Sequence, residues 1–364
     1  MKSSLLIYGV TGYTGGLISR LAAREGMVHI AAGRDTEKLA AHADPLLVPS
    51  RRFALDDAAK LARGLSDVTV VLNCAGPFGE TGPPLAEACL ETGTHYLDLA
   101  GEVPEFEAML ALDARARRGG SMLMPGVGFG VVPTDALSAR LKRRMPSATR
   151  LRLAFEAVGG VSQGTLLTLL RDLDRPGGRR REGEMVAAST GEEVVRIDLG
   201  GGARLAVTNP WRGDLVTAFW SSVFLDIDTY TVYPAGVRYL MRSALGKRLL
   251  TRPAMLRLLG RLVRRLPAGP DERALDKGLT RIWAEVEDPA GQRLAATMKG
   301  PDAYLFTART ALWVARKVLA GRAPVGFQTP VSAYGPDLID RLCDEIPGLE
   351  IVTDGRPARE QVRR

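Results

Sequence analysis

The stretch from Leu5 to Gly26, LLIYGVTGYTGGLISRLAAREG, sets the reading of the rest of the chain. Leu5 to Tyr8 is an apolar run short enough for a buried strand, and Gly15 to Arg24 repeats Leu17, Ile18 and Leu21 at helical spacing. Between them lies Gly9-Val10-Thr11-Gly12-Tyr13-Thr14-Gly15, a glycine turn with one extra residue in its first gap. In such a strand-turn-helix unit the first glycine permits the tight turn. The second lets the backbone approach a pyrophosphate, and the third lets helix and sheet pack closely. The helix N-terminus adds N–H donors and a partial positive charge. The spacing therefore predicts a dinucleotide site formed by Gly9, Thr11, Gly12, Tyr13, Thr14 and Gly15.

The second apolar run, VHIAAGRDTEKL, ends in Gly33-Arg34. This strand end meets the adenosine ribose in dinucleotide folds, where an acid suits the 2′-hydroxyl of NAD and an arginine the 2′-phosphate of NADP. Asp35 follows immediately, but Arg34 holds the first position past Gly33, and Lys38 offers a second cation one turn on. NADP is the expected cofactor.

The alternation continues through VTVVLNCAGPF, with a helix expected from Pro83 to Glu91, and THYLDLAGE, with a helix near Glu105 to Arg117. It ends with SMLMPGVGFGVVPTD, with a helix from Pro133 or Thr134. Strand and helix alternating in this way specify a Rossmann-type doubly wound parallel sheet, an α/β fold. Ligands of such sheets lie beyond the carboxyl ends of the strands, which predicts the nicotinamide end at Cys74, Ala75, Gly76, Pro77 and Phe78.

Charge and composition bound the alternatives. Between Thr229 and Pro270 nine cations occur without one acid, and setting those nine aside takes the net charge from +8 to −1. The basicity is local and not a general nucleic-acid signature. Three cysteines and three histidines lack ligand spacing, so no metal site is expected. No apolar run reaches the length of a bilayer span. Met1 is read as the start of a cytoplasmic protein, with peripheral membrane contact allowed.

The motifs YGVTGYTG, AAGRDTEKL, VLNCAGPF, HYLDLAGE and PGVGFGVVPTDALSARL together resemble the saccharopine dehydrogenase-like oxidoreductases, the bacterial trans-acting enoyl reductase branch above all. GGVSQGTLLTLL, PDAYLFTARTAL and GFQTPVSAYGPDLI extend the likeness over nearly the whole chain. The resemblance implies an NADP-binding domain over 1–145 and an α+β substrate and dimerisation domain on a mixed or antiparallel sheet over 146–325. It also implies a segment, 326–364, returning to the first domain. Members of the family often carry an aspartate where this chain has Gly130.

From Arg150 the pattern itself changes. RLRLAFEAVGG alternates like a half-buried strand, and DLVTAFWSSVFLDIDTYTVY offers one or two more. TRIWAEVEDPAGQRLAATMKG reads as a hairpin turning at Asp288 to Gly291. SQGTLLTLLRDL reads as a helix whose N-terminus suits either an anion or a plain cap. In RPAMLRLLGRLVRRL, Arg257, Arg261, Arg264 and Arg265 share one helical face with leucines largely opposite. Residues 236–266 thus suit a packed surface helix, a membrane surface or an acidic carrier protein.

The Tyr-x-x-x-Lys pair of short-chain dehydrogenases is absent, and the acids near the expected nicotinamide are Glu102, Asp98 and Tyr96, with Glu102 first. Three functions stay open: NADPH-dependent reduction of an activated C=C bond of a hydrophobic acyl substrate, free or carrier-bound; C=N reduction of an amino-acid type; and a non-catalytic NADP-binding scaffold at a lipid surface. The low polarity of the second domain and the leucine-rich basic segment favour a greasy substrate.

Overall fold

The structure is a computed structural model and describes residues 4–172, 177–243, 246, 248 and 250–355. The chain divides into two compact units, residues 1–132 with 304–333 and residues 133–303 with 334–364.

In the first unit, β1 (Leu5–Tyr8), β2 (His29–Gly33), β3 (Ser50–Arg52), β4 (Val70–Asn73), β5 (His95–Asp98) and β6 (Met122–Met124) alternate with helices. These are α1 (Tyr13–Arg24), α2 (Thr36–Ala43), α3 (Ala58–Leu65), α4 (Phe78–Thr92), α5 (Val103–Leu110) and α6 (Asp113–Gly119). A late two-residue strand, Gly326–Phe327, completes a seven-stranded sheet beside β6. From the other edge the order is β3-β2-β1-β4-β5-β6, all parallel, the order of the doubly wound dinucleotide-binding fold. All residues of β1 and β4 are buried, as continuous apolar runs in a sheet covered on both faces must be. The order reverses between β1 and β4, and there Gly9 takes φ +89° with Ala75 closely opposite.

Three expectations are corrected here. The helix expected from Pro83 begins at Phe78, with Pro83 and Pro84 inside it. Prolines remove backbone donors, so the sequence reads them as a start. The helix expected near Glu105 to Arg117 is two, α5 and α6. The helix α7 (Val132–Arg144) falls with the second unit rather than the first domain. Its Thr134 and Asp135 accept or donate hydrogen bonds with Asp214 and Ser221, and Lys142 lies over the Phe224 ring at 5.1 Å.

The second unit is a nine-stranded mixed sheet on β7 (Arg150–Val158), β8 (Gly177–Arg181), β9 (Glu184–Ala188), β10 (Val194–Asp198), β11 (Ala203–Thr208), β12 (Asp226–Thr231), β13 (Leu279–Glu287), β14 (Arg293–Pro301) and a last strand, Glu350–Gly355. β12 and β7 are parallel, β7 and β13 antiparallel, and β13 and β14 form the expected hairpin, with Gly291 at φ +77° in its turn. Ion pairs cross the strands: Arg152 with Glu285, Arg281 with Glu156 and Arg181 with Asp228. Of the one or two strands expected in DLVTAFWSSVFLDIDTYTVY, β12 is one, and the first half of the stretch is a helix, Asp214–Ser222. Buried Asp214 in its first turn accepts from Arg212 Nε at 2.7 Å, and Arg212 stacks over Phe155 at 4.3 Å.

The return to the first unit is also redrawn. It begins with the helix Ala303–Leu319, whose Thr307 and Tyr304 meet Phe129 and Tyr13, and it ends near Ala333. The tail beyond goes back to the second sheet, where Glu350–Gly355 pairs with β14. A contribution of residues 326–364 to the first domain therefore holds only for the part up to Ala333. Among the described residues no helix is long and apolar enough to cross a membrane, and no group of acids, histidines and cysteines is placed to hold a metal.

Candidate cofactor site of the first unit

The loops beyond the carboxyl ends of β1, β2, β4 and β5 belong to one unit, and the sequence-predicted residues lie on them, in the first turns of the helices that follow or on β2 and β5 themselves. The three glycines of the first turn answer to different constraints. A β-carbon on Gly15 would stand 2.9 Å from the Gly9 carbonyl carbon and 3.0 Å from Cys74 Cβ, so helix and strand touch backbone to backbone. Gly9 needs its left-handed φ. Gly12 needs neither. Its φ of −85° and ψ of 166° suit any residue, and an added β-carbon would find only the Gly9 carbonyl oxygen at 3.4 Å. Gly12 is exposed and is the N-cap of α1, without a side-chain cap. A glycine required neither by strain nor by packing, at an open helix N-terminus, fits the close approach of a phosphate group. Thr11 is exposed with its methyl toward Gly33, and Thr14 is half-buried. Tyr13 meets the Tyr304 ring edge-on at 5.1 Å.

At the end of β2 the structure separates the acid from the cation. Asp35 is the N-cap of α2: its carboxylate accepts from the Lys38 N–H at 3.1 Å and pairs with Lys38 Nζ at 3.3 Å. Those bonds hold the Asp35 carboxyl below the usual range, the Lys38 N–H bond foremost. The second cation expected from Lys38 is thus engaged with Asp35. Arg34 is exposed. A cation that the sequence reading missed stands beside it: Arg52, paired in register with Gly33, donates from Nε to the Arg34 carbonyl at 3.2 Å. Arg51 is held by Asp67 instead. Arg34 and Arg52 are the cations that could hold a 2′-phosphate.

The turn after β4 is fastened from below. Asn73 accepts from the Ala75 N–H at 3.0 Å and donates to Thr81 Oγ1 at 3.0 Å and to Tyr96 Oη at 3.2 Å. Thr81 in turn donates to the Ala75 carbonyl at 2.6 Å. Cys74 and Ala75 are half-buried, Gly76 and Pro77 exposed, and Phe78 half-buried. Burial pushes the Cys74 thiol up, so it stays protonated and unreactive at neutral pH.

Tyr96 and Asp98 continue that network. Tyr96 Oη donates to Asp98 Oδ2 at 2.8 Å, and Asp98 Oδ1 accepts from the N–H groups of Ala100 and Gly126, each at 2.9 Å. Both side chains are buried. Burial raises the Asp98 carboxyl to about 6 against those hydrogen bonds, and burial and Asp98 both push the Tyr96 phenol up. Each of them ties loops together. Glu102 is the half-buried N-cap of α5, and its Oε2 accepts from the Gly101 N–H at 3.0 Å. In the next loop, a β-carbon on Gly130 would meet nothing within 4 Å, so the missing aspartate is not excluded by space.

Residues 5–124 match the model of the saccharopine dehydrogenase NADP-binding domain. A saccharopine dehydrogenase-like oxidoreductase of Rattus norvegicus is 29% identical over 36% of this chain and 35% of its own, so the match spans about a third of that relative. A putative trans-acting enoyl reductase of Mycobacterium tuberculosis is 27% identical over 93% of this chain and 94% of its own. Among solved structures, a saccharopine dehydrogenase (L-Glu forming) of Saccharomyces cerevisiae shares the fold, with a TM-score of 0.66 and 14% identity over 98% of this chain and 100% of that one. Residues 5–124 are thus similar to a saccharopine dehydrogenase NADP-binding domain, and the chain as a whole is similar to an oxidoreductase named as a putative trans-acting enoyl reductase.

Proposed function

We propose that the chain is an NADPH-dependent oxidoreductase that reduces an activated, enoyl-type C=C bond in a hydrophobic acyl substrate. One observation carries the choice of reaction: the similarity that runs through both units, not the NADP domain alone, is to a protein named as a putative trans-acting enoyl reductase. The leucine-rich basic segment of the second unit supports a greasy substrate over a charged amino acid.

Bound NADPH supplies the hydride. The residues of this chain do the rest. The backbone at Gly12 and the first turn of α1 take the pyrophosphate, and Arg34 with Arg52 take the 2′-phosphate. Asn73 and Thr81 hold the Cys74–Phe78 turn in one shape for the nicotinamide end. Glu102 is assigned the proton that balances the hydride across the double bond. Tyr96 and Asp98, buried beneath it, are positioning residues that fix the loop carrying Glu102. Their hydrogen bonds to one another and to the loop backbone leave the proton transfer to the acid nearer the surface.

The test is isotopic. Protein given NADPH deuterated at the transferring position and a long-chain 2-enoyl thioester is expected to release a saturated thioester heavier by one deuterium. Deuterium delivered only to a cyclic imine, with the thioester untouched, would move the assignment to C=N reduction.

A further inference from the structure

Outside the cofactor unit, the second unit carries a pair of helices with no buried apolar residue on either. The helix Pro253–Val263 packs against α8 (Gln163–Asp172), and none of its side chains is buried. The apolar side chains of α8 that the structure describes are also only half-buried. Ser162 caps α8, its Oγ accepting from the Thr165 N–H at 3.2 Å, so that N-terminus is closed in the ordinary way.

The second helix has two sides. Met255, Leu256, Leu259 and Val263 are half-buried, as residues turned toward a partner helix are. Leu258, Leu262 and Leu266 are 49%, 48% and 49% exposed, and Arg257, Arg261, Arg264 and Arg265 beside them are exposed. The leucines expected opposite the arginines therefore flank them: at 100° per residue Leu258 and Leu262 fall between the arginine stripe and the packed side. Among the described residues, none of these four arginines is in an ion pair, and no acid occurs from Thr229 to Pro270.

We propose that this helix pair is a docking surface for an anionic lipid bilayer. A row of leucines edged by arginines of one sign is the pattern of an interfacial helix. Apolar side chains enter the acyl boundary while the guanidinium groups, on long apolar stems, stay at the headgroups. Charge complementarity selects this occupant. An acidic carrier protein would satisfy the arginines but leave the leucine row without a partner of its own kind. A second copy of this chain would set one acid-free basic face against another.

The test is co-sedimentation of the full chain with vesicles of phosphatidylglycerol and phosphatidylcholine, against phosphatidylcholine alone. Binding to the anionic vesicles is expected to be at least about tenfold stronger and to weaken between roughly 0.05 and 0.5 M salt. Replacing Arg257, Arg261, Arg264 and Arg265 by Gln is expected to lower it roughly tenfold or more. Leu258→Ser with Leu262→Ser, which leaves every charge in place, is expected to lower it as well. Unchanged thermal unfolding and NADPH affinity in both variants shows that each is folded. The proposal is overturned if the unaltered protein ignores anionic vesicles at low salt, or if the leucine variant sediments like the original. It is equally overturned if an acyl carrier protein, and not the vesicles, retains the chain, or if the arginines matter only to self-association.

Discussion

Gly12 and Gly15 share one neighbour, the carbonyl group of Gly9, and stand in opposite relation to it: a β-carbon on Gly15 would collide with that group, whereas one on Gly12 would clear its oxygen at 3.4 Å. The two substitutions should therefore fail in different ways. Gly15→Val forces α1 off β1 and is expected to destabilise the fold by about 3 kcal/mol or more. Gly12→Val is expected to cost no more than about 1 kcal/mol, the loss of a glycine N-cap, because no packed group stands in the way of its side chain. It should nonetheless lose NADPH binding. Thermal unfolding and fluorescence titration of both variants check this, and normal NADPH binding by folded Gly12→Val would make these glycines turn-formers only.

The pair Arg34 and Arg52 should set the preference for NADPH over NADH. A hydrogen bond to a charged group contributes about 1.5–3 kcal/mol, so Arg34→Ala is expected to cut NADPH affinity by about tenfold or more and leave NADH nearly unchanged. Arg52→Ala should act in the same direction. Lys38→Ala should do little to NADPH, because Lys38 is paired with Asp35. Titration of both cofactors against the three variants separates these roles.

Asp98 links the first unit to pH. Its folded carboxyl lies at about 6, above the ordinary value of 3.8, with burial the main cause. Between those two values the folded state binds more protons than the unfolded one, so this group's contribution falls as pH rises through the interval and is constant above it. Asp98→Asn keeps an oxygen for the Ala100 and Gly126 N–H groups and is expected to flatten that part of the stability profile. Asp98→Ala leaves both donors buried and unmatched and should lose about 2–4 kcal/mol. Chemical unfolding at pH 4, 5, 6 and 7 reads both.

Glu102 carries the proton in this account. Glu102→Gln is expected to lower turnover by about 10²-fold with NADPH affinity nearly unchanged, since the amide can still accept from the Gly101 N–H. An unaltered rate would assign the proton to water.

How much of this was legible in the sequence depended on range. β1, β2, β4 and β5 were readable because each is a short apolar run ending at a turn, and Gly9, Gly12 and Gly15 followed from their spacing alone. β3 escaped because Ser50–Arg52 has no apolar residue and no buried one. With it went Arg52, whose role comes from lying level with Gly33 on the neighbouring strand. Asp98 could be picked out as an acid near the nicotinamide, but two of its partners, Tyr96 and Gly126, come from a strand face and from a loop 28 residues away. Lys38 looked like a free cation because helix capping by Asp35 is decided by backbone geometry. The helix Asp214–Ser222 was read as a strand from its run of apolar and β-branched residues. Its identity is fixed by the buried pairing of Asp214 with Arg212 and Thr134, the latter 80 positions away.

The most direct measurement follows NADPH absorbance while the purified chain is offered a long-chain 2-enoyl thioester, with the thioester products identified by mass. The account predicts NADPH consumed one for one with saturated thioester formed, and no such consumption by the Gly12→Val variant. Tight NADPH binding with no consumption on any enoyl thioester, or consumption only with an imine, would contradict it.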